Sequence, residues 1–179
     1  MLKRIAAILL VVFSFTLTSC VSTVSGLKSY IDTADGYQFL YPNGWTALSV
    51  SNGPDVVFRD LIEQTENVSV VISEVASGKT LADLGTPSEV GYRLSKSAIA
   101  PPNSGREAEL VNAEVREFGA KSYYILEYAV KLPNQLRHSL ASVAVSRGKL
   151  FTINISSTED RWPKAKKIFE KVIKSFSVY

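Results

Sequence analysis

The chain has 179 residues, enough for one domain that buries roughly 68–70% of its surface. Its formal net charge of +3, from 20 basic and 17 acidic residues, comes without any Arg/Lys run interleaved with aromatics, so nucleic acid is not an expected partner. One His and one Cys leave little for nucleophilic chemistry, and a lone Cys excludes an intramolecular disulfide.

Residues 1–19 read as a lipoprotein signal peptide. Lys3 and Arg4 form a short positive region, and Ile5 to Leu17 is apolar but too short to span a bilayer. Leu17-Thr18-Ser19-Cys20 matches the bacterial lipobox, which makes Cys20 the expected lipidation residue. Acyl chains contribute about 0.8 kcal/mol per buried CH₂, and more than one chain gives durable anchoring. Without Lys3 and Arg4 the basic count falls to 20 − 2 = 18 against 17 acidic residues, so the mature chain is near neutral. Residues 20–34 follow as a lipidated tether, with Val21 to Asp32 polar and Ser-rich.

The folded domain is expected over residues 35–179. Asp35-Gly36 is a turn, and Tyr37 to Tyr41 a strand ended by Pro42-Asn43-Gly44. Trp45 to Val50 and Val56 to Asp60 are short strands, and Asn67 to Val75 a longer one. Thr80 caps a short turn through Asp83. Thr86-Pro87-Ser88-Glu89 has the form of a helix start, with a capping Thr, Pro at the first position and Glu at the third. Val90, Leu94 and Ala98 then face the core, and Ala100 to Gly105 is an exposed loop.

Glu107 to Glu117 and Ser122 to Val130 are strands joined at Phe118-Gly119-Ala120. Leu136, Leu140 and Ala144 alternate with Ala141, Val143 and Val145, which predicts a strand covered on both faces. Gly148 in Ser146-Arg147-Gly148-Lys149 supplies a tight turn. Phe151, Ile153 and Ile155 mark the core side of a return strand. A final helix is expected, with Ser157 as cap, Asp160 at its third position and Pro163 in its first turn. Trp162, Ala165, Phe169, Val172 and Phe176 form its apolar stripe.

Short turns argue for antiparallel pairing, and the interspersed helices for the α+β class: a twisted, mainly antiparallel sheet with helices on its faces. The motifs G-x-S-x-G, H-E-x-x-H, G-x-G-x-x-G and the phosphate-binding glycine loop are all missing, so no enzyme activity is expected.

Several blocks, in order, resemble the PsbP family, the lumenal extrinsic proteins of photosystem II. They are Asp35-Gly36-Tyr37 with Phe39, Pro42 and Trp45; Phe58-Arg59-Asp60 with Asn67 to Val70; Leu84 to Glu89; and Tyr123-Tyr124 with Leu126-Glu127. Towards the C-terminus Arg137-His138, Leu140, Val145, Gly148 to Phe151, Arg161-Trp162 and Ser175 to Val178 complete the set. With its lipobox the chain is similar to the cyanobacterial lipoprotein form of the family.

The resemblance implies an α-β-α sandwich around an antiparallel sheet. It implies a place on the lumenal side of the thylakoid membrane, held there by lipid. The implied partners are lumenal subunits of photosystem II, within the oxygen-evolving complex or an assembly intermediate. Calcium retention belongs to longer plant members; the short segment before Asp35 favours an assembly or stabilising role instead. In the family pattern the Arg-His pair and the acidic residue before Arg-Trp sit on neighbouring elements. Here these are His138 and Glu159, with Asp160 beside it, a set suited weakly to Zn²⁺ or Mn²⁺. The competing class is a periplasmic ligand- or metal-binding lipoprotein of the same fold.

Overall fold

The computed structural model describes residues 26–179. Ten strands run in chain order with two α-helices. The strands are β1 (Leu27–Asp32), β2 (Tyr37–Pro42), β3 (Trp45–Leu48), β4 (Val56–Asp60), β5 (Asn67–Glu74), β6 (Glu107–Phe118), β7 (Lys121–Leu132), β8 (Gln135–Ser146), β9 (Lys149–Thr158) and β10 (Ser177–Val178). The helices are α1 (Pro87–Leu94) and α2 (Trp162–Ser175).

Seven strands form one sheet in the order β3-β4-β5-β9-β8-β7-β6, with every neighbouring pair antiparallel. A second sheet, in the order β1-β2-β10, was not expected. It packs with α2 over one face of the large sheet, and α1 covers part of the other. The α+β class and the layered sandwich follow directly.

The sheet faces are set by the two-residue period of the strands. Phe151, Ile153 and Ile155 point towards α2, where they meet Phe169, Val172, Ile173 and Phe176. Tyr124, Leu126 and Tyr128 point the other way and pack with Leu81 and Val90. All three tyrosines Tyr123, Tyr124 and Tyr128 are buried, as core packing requires. Strand β8 is buried continuously from His138 to Ala144, although Leu136 at its start is exposed.

Helix α1 begins as the sequence indicates. The Glu89 N–H donates to Thr86 Oγ1 at 3.3 Å, and the Thr86 N–H donates to Glu89 Oε2 at 2.8 Å. It ends differently, because Ser95–Ile99 continues as a π-helical turn closed by the Ala100 N–H on Ser95 O at 2.9 Å. The wider turn rotates Ala98 out to solvent rather than into the core.

Three further expectations are corrected. Residues Leu27–Asp32, expected within the tether, form β1, because β2 offers a free edge that pairs from Leu27↔Pro42 to Asp32↔Tyr37. Ser157 is not a helix cap: β9 keeps pairing with β8 through Arg137↔Thr158 and buries Ser157 in the sheet. Helix α2 therefore starts at Trp162 without a side-chain cap, and Asp160 has no capping role. Chain reversal at Arg147-Gly148 places both residues at positive φ, 51° and 72°, as a tight hairpin between twisted strands requires.

Candidate functional site

His138 sits on the α2 face of β8 and is 8% exposed. Its imidazole lies against the Trp162 indole, with centroids 4.2 Å apart and planes inclined by 17°. Trp162 reaches it because Pro163 starts α2 directly above this part of the sheet. Two carboxylates flank the ring. Glu159 Oε2 lies 2.9 Å from Nδ1, and Glu127 Oε1 lies 2.8 Å from Nε2. Lys166, one turn into α2, donates to Glu127 Oε1 at 3.3 Å and stands 5.6 Å from the Trp162 centroid.

Ionised carboxylates only accept, so both contacts are satisfied together when each ring nitrogen carries a proton. The cluster is then two carboxylates facing an imidazolium and a lysine, with an aromatic lid. Chemically it is a clamp that ties β7, β8, the β9–α2 connection and α2 together.

Of the three residues expected to hold a metal, the structure brings His138 and Glu159 together. Asp160 is exposed and makes no contact with His138. Glu127 was missed. Its signal lay in the alternation Tyr123, Ile125, Glu127, Ala129, where one acid falls on the core-facing register. The donors do not fit a Zn²⁺ or Mn²⁺ centre. They offer one imidazole nitrogen and one carboxylate on the open side, against the four ligands of a closed zinc site. The second nitrogen points at Glu127, on the opposite edge of the ring.

Among the described residues, one group of three carboxylates could approach a single ion: Asp32, Asp35 and Asp55. Their oxygens are largely committed. Asp32 Oδ1 accepts from the N–H groups of Ala34 and Asp35, both at 2.9 Å. Asp35 Oδ1 accepts from Lys149 Nζ at 2.7 Å, and Asp55 accepts from the Tyr37 hydroxyl. Burial, reinforced by Asp55, pushes the Tyr37 phenol far above its usual range. Calcium takes six to eight oxygens, more than these three carboxylates hold uncommitted.

Cys20 lies outside the described residues. No helix among those residues is long and apolar enough to cross a membrane.

Comparison with known proteins agrees with this architecture. Residues 25–178 match the PsbP family model. CyanoP of Thermosynechococcus vestitus is 50% identical over 184 residues, covering 100% of both chains. The PsbP-like protein 1 of Arabidopsis thaliana chloroplasts is 35% identical, over 86% of this chain and 65% of that protein. The solution structure of cyanobacterial PsbP (CyanoP) from Synechocystis sp. PCC 6803 superposes with a TM-score of 0.75 at 51% identity, covering 91% of this chain and 99% of that one. On the fold, the ordered motifs and these matches, the chain belongs to the PsbP family.

Proposed function

We propose that this photosynthesis-related protein works at the lumenal face of the thylakoid membrane, held by lipid on Cys20. There it supports the assembly or stability of photosystem II by protein contact rather than by catalysis. One observation carries the reading: the match to CyanoP spans 100% of both chains, so it includes the lipobox segment as well as the folded domain. The tether has a physical use. Two partners confined to one membrane meet at raised effective concentration, so a weak interface is still occupied.

Affinity isolation from gently solubilised thylakoids tests this. Tagged wild-type protein should bring down photosystem II core subunits or an assembly intermediate. Cys20→Ser should shift the protein out of the carbonate-washed membrane fraction and weaken that recovery. Absence of every photosystem II component from the wild-type eluate at low salt would overturn the reading.

A further inference from the structure

The α1 face of the large sheet is only half covered, and the open half is not an ordinary solvated surface. A cavity of about 680 Å³ lies there, within the size range of small-molecule sites. Its floor is polar: Asn67 and Ser69 of β5, Ser139 of β8, and Thr152, Asn154 and Ser156 of β9. Its walls are apolar, with Leu94 and Ile99 from α1 and the π-turn, Val130 and Leu132 from β7, and Leu150 from β9. A π-turn lining a cavity is a recurrent feature of functional sites.

One end is cationic. Arg106 and Arg137 both line the cavity. Burial and then Arg106 hold the Arg137 guanidinium below its usual range, with Glu66 acting against them. Arg137 donates from Nη2 to Thr65 O at 2.5 Å and to Ser156 Oγ at 2.6 Å, and from Nη1 to Gln135 Oε1 at 3.2 Å, all neutral acceptors. The nearby carboxylate of Glu66 is already taken by Arg161 at 2.5 Å. Among the described residues the Arg106 side chain makes no ion pair or hydrogen bond.

Further along the floor, Asn154 Oδ1 is buried without a hydrogen-bond partner. Asn154 pairs with Ala141 and Arg137 with Thr158, so the two are four positions apart along the ladder, about 13 Å at ~3.3 Å per residue. A water molecule can satisfy the orphan carboxamide.

We propose that this cavity binds an elongated organic anion, with a carboxylate or phosphate head between Arg106 and Arg137 and an aliphatic body along Leu94, Ile99 and Leu150. The free fork of Arg106 matches such a head in geometry and charge, and Arg137 adds its charge and its remaining N–H groups. The apolar wall supplies the rest of the contact, and its length excludes a bare inorganic ion as the full occupant.

The test uses the full chain in neutral-lipid nanodiscs, with empty nanodiscs as the control for partitioning. A dodecanoate carrying a photoreactive diazirine is crosslinked and its attachment mapped by peptide. Crosslinks should fall on the segments 94–99 and 152–154. Unlabelled dodecanoate and dodecyl phosphate should compete, and dodecanol should not. Arg106→Glu changes an exposed side chain and should weaken labelling about tenfold, the equivalent of one charge-assisted contact. Ser69→Trp, which fills the floor, should abolish it while amide exchange of the core stays unchanged. Labelling that survives Arg106→Glu, that dodecanol competes equally well, or that scatters over the surface overturns the proposal.

Discussion

The His138 and Trp162 rings stack at 4.2 Å, with His138 held between Glu127 and Glu159. Removing the imidazole strips the shielded Glu127 of a donor and leaves a void beneath the indole. Hydrogen bonds to charged groups contribute about 1.5–3 kcal/mol each, and the shielded Glu127 keeps only Lys166 as a donor. His138→Ala should therefore lower stability by at least about 2 kcal/mol, read as a shifted urea midpoint at unchanged slope. The Trp162 emission should change with it. An unchanged midpoint would mean that the clamp contributes nothing net.

Phe169 is buried in α2 against Trp45 and Trp162, with centroids 6.0 and 6.1 Å away. Phe169→Ala should cost about 3–5 kcal/mol, the usual range for a large aromatic removed from a core. Thermal unfolding measures it directly. A melting temperature within a degree or two of wild type would contradict the packing described.

Asp60 governs an acid-labile part of the fold. Burial alone would raise its pKa, but the N–H groups of Ile62 and Glu63, the Trp45 indole and Arg161 together hold it below the usual carboxylate value. A depressed folded-state value means that its contribution is complete above the unfolded value, about 3.9, and is lost as pH falls through the folded one. Asp60→Asn should flatten the stability profile below about pH 4. If wild type and variant lose stability in parallel there, other carboxylates dominate the acid limb.

At the alkaline end the sign reverses. Bonding to Asp35 raises Lys149 above its ordinary value. Its contribution is therefore complete below the unfolded value, about 10.4, and is lost as pH rises through the folded one. Lys149→Met should remove the alkaline part of the profile that depends on this pair. The partly exposed setting keeps the effect small.

Thr86 closes a reciprocal cap with Glu89. Thr86→Ala should cost about 1 kcal/mol, with faster amide exchange in α1 than in β7 or β8. Uniform exchange across the domain would show that α1 does not open separately.

Local signals carried much of the architecture. The capping pattern at Thr86, the positive-φ turn at Gly148 and the period-two apolar runs of β7 to β9 each depend on a few neighbouring residues, and each was legible. Leu27 to Asp32 was not, because its strand character comes from the edge of β2 rather than from its own polar residues. Ser157 misled for a similar reason: it fits a capping pattern, yet the β8 ladder extends past it. In the candidate site, His138 and Glu159 were legible as a pair through the family pattern. Glu127 needed the β7–β8 register, and Asp160 needed the true start of α2. The Arg106–Arg137 cavity is assembled from β5, β7, β8, β9 and the π-turn, so no single stretch announces it.

The small sheet has a consequence for how the chain is made. Tyr37 in β2 finds its second neighbour only when Val178 arrives, through the Val178↔Tyr37 pair. Phe176, just before it, fills the space between Tyr37 and Tyr123. A chain emerging from its N-terminus therefore presents β2 half-paired, with the bed for Phe176 open, until almost the last residue is out. Long-range closure of this kind is slow to form. Up to that moment the chain lacks its locking strand. Once Val178 docks, the two distant ends of the domain are fastened to each other.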